Sequence, residues 1–359
     1  MNPQESALHY PLGDELPAPS TLRELAPGVR WLRLQLPFSL DHINLWLLRD
    51  QLEGREGWTV VDCGIDRPET RAQWETVFAT ALDGLPVLRV LVTHMHPDHV
   101  GLAHWICKRW SQPGQACRLW MSATDYFLAQ FGRHPENGFG GESQARFLAE
   151  QGLNDPETQA ALLARPPFFA SLVPDMPRSY RRMVEGDLIR IGHHNWRCIG
   201  GRGHAPEHIA LHSQDLGLLI AGDMVLPRIS TNVSVHQDEP EANPLRDFLA
   251  SLDKYLPLPP QTLVLPSHGK PFTGLQVRIG QLQAHHAERI AEVMDACTQA
   301  PQSAADLLPL MFKRALDTHQ LPIAVGEALA HLHLLWHEGR LRRELDAQGV
   351  WRFRAVTPA

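Results

Sequence analysis

The 359-residue chain contains no long uninterrupted apolar segment. No stretch approaches the roughly 18 uncharged apolar residues expected of a membrane span, and residues 1–20 lack the apolar core of a secretory signal peptide. Basic blocks are absent too, since 33 basic residues stand against 40 acidic ones for a net charge of −7. We therefore expect a cytoplasmic protein with no membrane partner, and the charge does not favour nucleic acid as a partner.

Cysteine is scarce, with five residues and no C-x-x-C pair. Five thiols cannot all pair, so we expect reduced cysteines in a cytosolic protein rather than a disulfide framework. Cys63 directly follows Asp62, a candidate site residue, but we expect Cys63 to be a small packed thiol and not a ligand.

Histidine, in contrast, is abundant, with twenty residues in the chain. His94, His96, Asp98 and His99 fall within six positions, directly after the apolar run Val87–Val92, which predicts a buried strand. Imidazole nitrogens and carboxylate oxygens are the ligands that zinc and similar ions prefer. Neighbouring side chains on one loop diverge, so this loop is expected to give two ligands to each of two adjacent metal ions.

The segment His94–His99 resembles the H-x-H-x-D-H motif of the metallo-β-lactamase superfamily. Four more segments are similar to that family's remaining motifs and follow in its order, together spanning residues 28–275: Val60–Gly64 with Asp62, Gly203–His208 with His204, Ala221–Asp223 with Asp223, and Ser267–Gly269 with His268. The resemblance implies an α/β protein, an αββα sandwich with a dinuclear metal site on its rim.

The resemblance also implies a ligand set of three residues for each ion and one bridge: His94, His96 and His204 for the first ion, Asp98, His99 and His268 for the second, and Asp223 between them. It implies two divalent ions, zinc above all, although iron and manganese accept the same ligands. Asp62 is expected to orient a ligand histidine, and Asp98 to act on the nucleophile as well. His208 is expected to support its loop.

Strands and helices are predicted from apolar periodicity and from flanking turn residues. Predicted strands are Val29–Leu36, Ile43–Leu48, Trp58–Asp62, Val87–Val92, Arg118–Met121, Asp187–Ile191, Trp196–Gly200, Ile209–His212, Leu216–Ala221, Thr262–Leu265, Leu341–Leu345 and Val350–Phe353. Predicted helices are Pro68–Leu82, His99–Trp110, Ala123–Gln130, Asn243–Tyr255, Gln276–Gln299, Ser303–Leu316 and Pro322–His337. His42 and Asn44 are predicted to be structural turn residues near the rim.

Three units follow from these elements: an N-terminal extension (1–27), the metallo-β-lactamase domain (28–275) and a C-terminal domain (276–359). Residues 132–182 are rich in glycine, proline and aromatic side chains, and their length favours a helical cap over the site. The residues that we expect to contact the substrate are Asn232 and His236, with Tyr126 and Tyr180 as weaker candidates. Each of them also has a structural interpretation.

The helix–helix–hairpin order after residue 275 is similar to the winged-helix appendage of a family branch that includes a mitochondrial endoribonuclease. A helix that reads a nucleic-acid groove needs exposed cations, yet residues 322–336 contain no Lys or Arg. Residues 301–359 hold seven basic and six acidic groups, so phosphate neutralisation would be weak. Packing or homodimer formation is the expected role of this unit.

The predicted function is hydrolysis of a small ester, thioester or lactone by a metal-activated water, as in the family's glyoxalase II-like members. One alternative is a metal-dependent endoribonuclease, because of the winged-helix likeness. A second is redox chemistry at iron, although His96 stands where the family's di-iron branch usually has Glu.

Overall fold

The structure is a computed structural model that describes residues 3–38, 40–134, 139–165 and 168–356. Two large β-sheets dominate it. The first contains seven strands: β1 (Arg23–Ala26), β2 (Val29–Gln35), β3 (His42–Leu52), β4 (Arg55–Val61), β5 (Val87–Leu91), β6 (Arg118–Met121) and β7 (Tyr180–Arg182). The second contains five: β8 (Leu188–Ile191), β9 (His194–Gly201), β10 (His208–Ser213), β11 (Leu218–Gly222) and β12 (Leu263–Pro266).

Strands of the first sheet follow one another in chain order from β1 to β7. β1 to β4 follow one another as antiparallel pairs, whereas β4 to β7 pair parallel and need crossover segments. Strand β5 is buried along its whole length, as expected for an apolar strand in the middle of a parallel region. The second sheet has the order β12-β11-β10-β9-β8, and only the β11–β12 pair is parallel.

The helices lie on the outside of the sheets. They are α1 (Pro3–Ser6), α2 (Pro68–Thr80), α3 (Pro97–Val100), α4 (Ala103–Trp110), α5 (Ala123–Gly132), α6 (Gly141–Glu150), α7 (Pro156–Leu163), α8 (Phe168–Leu172), α9 (Pro244–Asp253), α10 (Leu275–Gln299), α11 (Leu308–Met311) and α12 (Gln320–His337). Helices α2 and α4 contact the first sheet and α9 contacts the second.

Two hydrophobic clusters hold the layers together. One joins the two sheets and contains Trp46 of β3 and Trp196 of β9. The other joins the second sheet to helices α9, α10 and α12, with Leu219, Phe248 and Leu329 among its members. Two sheets between helical layers form the αββα sandwich, so the predicted fold class is confirmed.

The predicted helix His99–Trp110 is wrong as a single element, because the chain forms α3 and α4 with a break between them. The amide of Leu102 donates to the carbonyl of Gly64, 3.0 Å away, instead of to its own helix. Gly101 is required at the break, since a Cβ there would lie 2.7 Å from the carbonyl oxygens of Gly64 and Leu172. The break lets α3 place Asp98 and His99 independently of α4.

Two short edge strands were missed. Strand β1 lies in the predicted extension 1–27 and pairs with β2, so residues 23–26 belong to the first sheet. Strand β7 lies in the predicted cap 132–182 and extends the first sheet beside β6. Residues 135–138 and 166–167 of the cap are outside the described residues, and its role over the site stays a prediction.

The C-terminal unit consists of α10, a 3₁₀ turn (Ala305–Leu307), α11, α12 and the hairpin β13 (Leu341–Leu345) and β14 (Trp351–Ala355). The predicted helix Ser303–Leu316 is too long. Pro309 lies in the first turn of α11, where its missing amide is tolerated, but it could not lie inside a helix that began at residue 303. The domain boundaries and the winged-helix assignment stay predictions.

Within the described residues, no helix is long and apolar enough to cross a membrane.

Candidate metal centre

The seven predicted ligands lie on loops or short helices that follow four strands at one edge of the sandwich. His94, His96, Asp98 and His99 follow β5, and the others follow strands of the second sheet: His204 after β9, Asp223 after β11 and His268 after β12. Loops held by rigid strands are a common way to position a site. Three groups of these side chains could each hold an ion, with ligand atoms within 4.8 Å of one another: His94–His96–His204, His94–His99–Asp223 and Asp98–His99–His268.

The first group brings three imidazoles together. His94 Nε2 lies 2.9 Å from His96 Nδ1 and 3.2 Å from His204 Nε2. Two nitrogens bound to zinc at about 2.05 Å in a tetrahedron are roughly 3.3 Å apart. These separations therefore fit a single shared ion.

The group Asp98–His99–His268, called the second group below, combines a carboxylate with two imidazoles. Asp98 Oδ2 lies 3.3 Å from His268 Nε2 and 3.6 Å from His99 Nε2. Asp223 reaches both groups, since its Oδ2 is 3.4 Å from His204 Nε2 and 3.5 Å from His268 Nε2, and its Oδ1 is 3.5 Å from His99 Nε2.

Orphaned polar atoms in this cluster indicate what it is built to hold. His99 Nε2, His268 Nε2 and Asp223 Oδ1 are buried and have no hydrogen-bond partner among the described residues. A buried polar atom without a partner is costly. Two acceptor-capable nitrogens and a carboxylate oxygen converging at these distances fit divalent cations, which would satisfy all three atoms.

The fold sets the charge of these groups. Burial, followed by repulsion from neighbouring histidines, holds the pKa of His94 well below its usual value and lowers the pKa of His96 to about 3. Both imidazoles are therefore neutral, as metal ligation requires. Burial lowers the pKa of His99, but the carboxylates of Asp62, Asp98 and Asp223 outweigh it and raise that pKa to about 9, so a cation that binds Nε2 displaces a proton from it.

Asp62 supports the second group. Its Oδ2 accepts a hydrogen bond from His99 Nδ1 at 2.8 Å, and its Oδ1 accepts one from the Thr93 amide at 2.8 Å. This contact fixes the tautomer of His99 so that Nε2 faces Asp98 and Asp223. Asp62 itself has a positive φ of 59°, an uncommon conformation for a residue with a side chain, and its hydrogen bonds help to hold it there.

His42 and Asn44 support His268 from the other side. The carbonyl of His42 accepts from His268 Nδ1 at 2.7 Å, and Asn44 Nδ2 donates to the carbonyls of Pro266 and Gly269, both at 2.8 Å. Both roles are structural, as predicted, but the two residues lie in strand β3 and not in a turn.

Asn232 supports His204, and its prediction as a substrate contact is not favoured by the structure. Its carbonyl accepts from His204 Nδ1 at 2.8 Å. Its side chain donates to Glu327 Oε2 at 3.1 Å and accepts from Ser234 Oγ at 2.8 Å. With these groups engaged, Asn232 lies behind the ligand and joins it to helix α12.

Tyr126 and Tyr180 form a packing pair. Their rings stack at 3.9 Å, and the Tyr126 hydroxyl donates to the carbonyl of Pro177 at 2.8 Å. Tyr126 is almost fully buried, so the pair braces β7 against α5 and does not fit a substrate-contact role. His236 is exposed and faces Phe139 edge-on at 6.4 Å between ring centroids, and it stays a candidate substrate contact.

Thr93 was missed by the sequence analysis, although it directly precedes His94. Its hydroxyl lies 3.0 Å from His94 Nδ1, 3.2 Å from His99 Nδ1 and 2.9 Å from Asp62 Oδ2. The supporting carbonyls of His42 and Asn232 were missed for another reason: a backbone carbonyl is present at every residue and leaves no trace in the sequence.

His208 is buried behind the ligands, and its Nε2 accepts from the amide of Asp223 at 3.3 Å. A Cβ at Gly222 would lie 2.1 Å from that nitrogen, so the ring packs directly on the backbone that carries Asp223.

We expect His208→Ala to weaken metal binding about 10-fold to 100-fold, as for other residues behind a ligand, and His204→Ala to weaken it far more. Equilibrium zinc titration of both variants checks this. Equal losses in the two variants would show that His208 has a ligand-like role.

Two family profiles match the sequence of this chain. Residues 39–268 match the profile of the metallo-beta-lactamase superfamily. Residues 290–356 match the profile of the metallo-beta-lactamase-like C-terminal domain.

Individual proteins resemble the chain over most of its length. A crystal structure of a beta-lactamase domain protein from Burkholderia ambifaria matches with a TM-score of 0.93 and 53% identity, over 99% of this chain and 100% of that one. A metallo-beta-lactamase family protein from Thermus thermophilus matches with a TM-score of 0.73 and 27% identity, over 93% of this chain and 100% of that one. A Bacillus subtilis (strain 168) protein described as a probable metallo-hydrolase is 25% identical over 89% of this chain and 96% of its own length.

Proposed function

This chain belongs to the metallo-beta-lactamase superfamily, and we propose that it is a hydrolase that uses two divalent ions, zinc above all, to cleave a small ester, thioester or lactone. One observation carries the proposal. The carboxylate of Asp223 lies within 3.5 Å of ligand nitrogens from the first and the second group, which supports a bridging role between two ions. The resemblance to a probable metallo-hydrolase supports the reaction class.

The seven ligand residues have different roles in binding the two ions. His94, His96 and His204 hold one ion, Asp98, His99 and His268 hold the second, and Asp223 joins them. When bound, such ions lower the pKa of water towards neutrality and stabilise the negative charge that develops on a substrate. No serine or cysteine nucleophile is then required.

Asp98 has a second role in this proposal. Its side chain is 19% exposed, against 10% for Asp223 and 0% for His99, so it is the ligand carboxylate most open to solvent. We assign to it the orientation of the attacking water. Asp62 is fully buried behind His99 and acts by holding that imidazole in one tautomer.

A small substrate is favoured over RNA by the packing of α12. Residues 324, 325, 326 and 328–335 of this helix are buried. The carbonyl of Gly326 accepts from the Val235 amide at 3.0 Å, and Glu327 binds Asn232. A helix that packs against the metal loops in this way has no free face for a nucleic-acid groove.

The substrate is expected to meet an aromatic surface. Phe38 and Phe168 are 40% and 39% exposed, with ring centroids 5.8 Å apart. Helix α8, which begins at Phe168, contacts α3, the helix that carries Asp98 and His99. We propose that this surface and His236 contact an apolar acyl group.

The cytoplasmic location and the homodimer stay predictions.

A substrate panel tests the reaction class. The protein is assayed with zinc, manganese or iron against thioesters, lactones, aryl esters and a structured RNA. We expect metal-dependent hydrolysis of at least one acyl class, lost in His204→Ala, and no cleavage of RNA. Metal-dependent RNA cleavage with no acyl hydrolysis would favour the endoribonuclease alternative.

A further inference from the structure

One buried carboxylate beside the centre has no role in the proposed chemistry. Asp125 lies in the first turn of α5 and is fully buried. Its Oδ2 accepts from the Met95 amide at 2.8 Å and its Oδ1 accepts from the Glu207 amide at 2.9 Å. Burial raises the pKa of Asp125 to about 7, against the opposing effect of these two amides.

Both amides belong to segments that carry ligands of the first ion, and the first of these segments continues into α3, which carries Asp98 and His99. Met95 lies between His94 and His96, and Glu207 follows His204 by three residues. A single carboxylate therefore joins two segments whose bound amides, at residues 95 and 207, are 112 positions apart in the chain.

The contact is reciprocal. The Glu207 side chain returns to α5, where its Oε2 accepts from the Thr124 amide at 3.1 Å. Asp125 thus binds the second loop, and that loop in turn satisfies a free amide at the start of the helix. An ordinary capping carboxylate accepts from its own helix, whereas the amides bound by Asp125 belong to two distant loops.

The second ion's ligands are supported differently. His99 is held by Asp62 and His268 by the carbonyl of His42, and neither contact involves α5. The hydroxyl of Thr93 lies near both His94 and His99, but the other supports of the two halves come from different parts of the fold.

We propose that Asp125 is a positioning residue for the first ion alone, an inference that rests on the dinuclear site proposed above. Asp125 and Glu207 form an amide clamp, defined by these two side chains and the three amides they accept from. The clamp fixes the spacing between the His94–His96 loop and His204, so the affinity for the first ion depends on it while the affinity for the second does not.

The test is metal binding, measured without substrate. Metal-stripped wild type, Asp125→Ala and Asp125→Asn are titrated with Zn²⁺ by calorimetry and with Co²⁺ by visible absorption, because tris-imidazole and mixed carboxylate sites give different Co²⁺ bands. For Asp125→Ala we expect one ion to bind as in wild type and the other about 10-fold to 100-fold more weakly, so that the tris-imidazole Co²⁺ band appears last in the titration.

Asp125→Asn is the conservative variant. Its single amide oxygen can accept from one loop but not from both, so we expect an intermediate loss, and this variant answers the question if Asp125→Ala does not fold. Asp155→Ala is the matched control: Asp155 accepts from the Thr158 amide at 2.8 Å at the start of α7. It should lower the melting temperature and leave both affinities unchanged.

Equal weakening of both ions in Asp125→Ala, or no weakening of either, would overturn the clamp. Wild type that binds no ion would instead overturn the proposed function, and the clamp with it. A wild type that binds two ions but hydrolyses no substrate would overturn the proposed reaction alone. The same titrations would still decide for or against the clamp.

Discussion

Asp223→Ala is expected to lose one bound ion and nearly all hydrolysis together. The Asp223 carboxylate is the group that lies within 3.5 Å of ligand nitrogens from both halves of the centre. Metal-ion stabilisation of developing charge amounts to several kcal/mol, and each ~1.4 kcal/mol is a factor of ten in rate. We therefore expect kcat/KM to fall on the order of 10³-fold or more. Metal analysis and the acyl hydrolysis assay on the same samples measure this.

Asp215→Ala serves as the control, because Asp215 lies in the turn before the same strand β11, at its other end, and its side chain is 63% exposed. It should keep both ions and full activity. Persistent activity of Asp223→Ala with one ion bound would show that the bridging assignment is wrong.

Arg89→Met is expected to cause the largest loss of stability. Arg89 Nη2 lies 2.9 Å from Asp50 Oδ2, and both side chains are at most 2% exposed. The same guanidinium donates to Thr59 Oγ1 at 2.9 Å and to the carbonyl of Arg190 in β8 of the second sheet at 2.6 Å. Removing one partner of a buried ion pair costs about 3–5 kcal/mol, a large part of the ~5–15 kcal/mol that stabilises a typical domain. Urea unfolding measures the change.

Arg49→Met is the matched control for this variant. Arg49 pairs with Glu56 at 2.8 Å, but the two side chains are 37% and 64% exposed. An exposed pair of this kind contributes about 0–1 kcal/mol. If Arg89→Met were no less stable than Arg49→Met, the buried network would not be important for joining the sheets.

The metal loop could be predicted from the sequence because its signal is local. His94, His96, Asp98 and His99 lie within six positions after an apolar strand, and no long-range information is needed to recognise them. His204, Asp223 and His268 are isolated in the chain. They could be proposed only through the ordered resemblance to a family, and their convergence depends on strands from both sheets.

The parts that could not be predicted depend on contacts between distant segments. Helix α4 begins at Ala103 because the Leu102 amide binds Gly64, which no local periodicity reveals. Asp125 belongs to no motif, and its two partners are 30 and 82 residues away. Tyr126 is only a weak candidate for a substrate contact in the sequence, and its structural role depends on the carbonyl of Pro177, 51 residues away, which no local pattern reveals.

Stepwise addition of Zn²⁺ to metal-stripped wild type, with bound metal and acyl hydrolysis measured on the same samples, tests the central claim most directly. The arrangement of Asp223 between two ligand groups predicts that binding saturates at two ions per chain and that most activity appears with the second. Full activity with one ion bound, or with none, would contradict it.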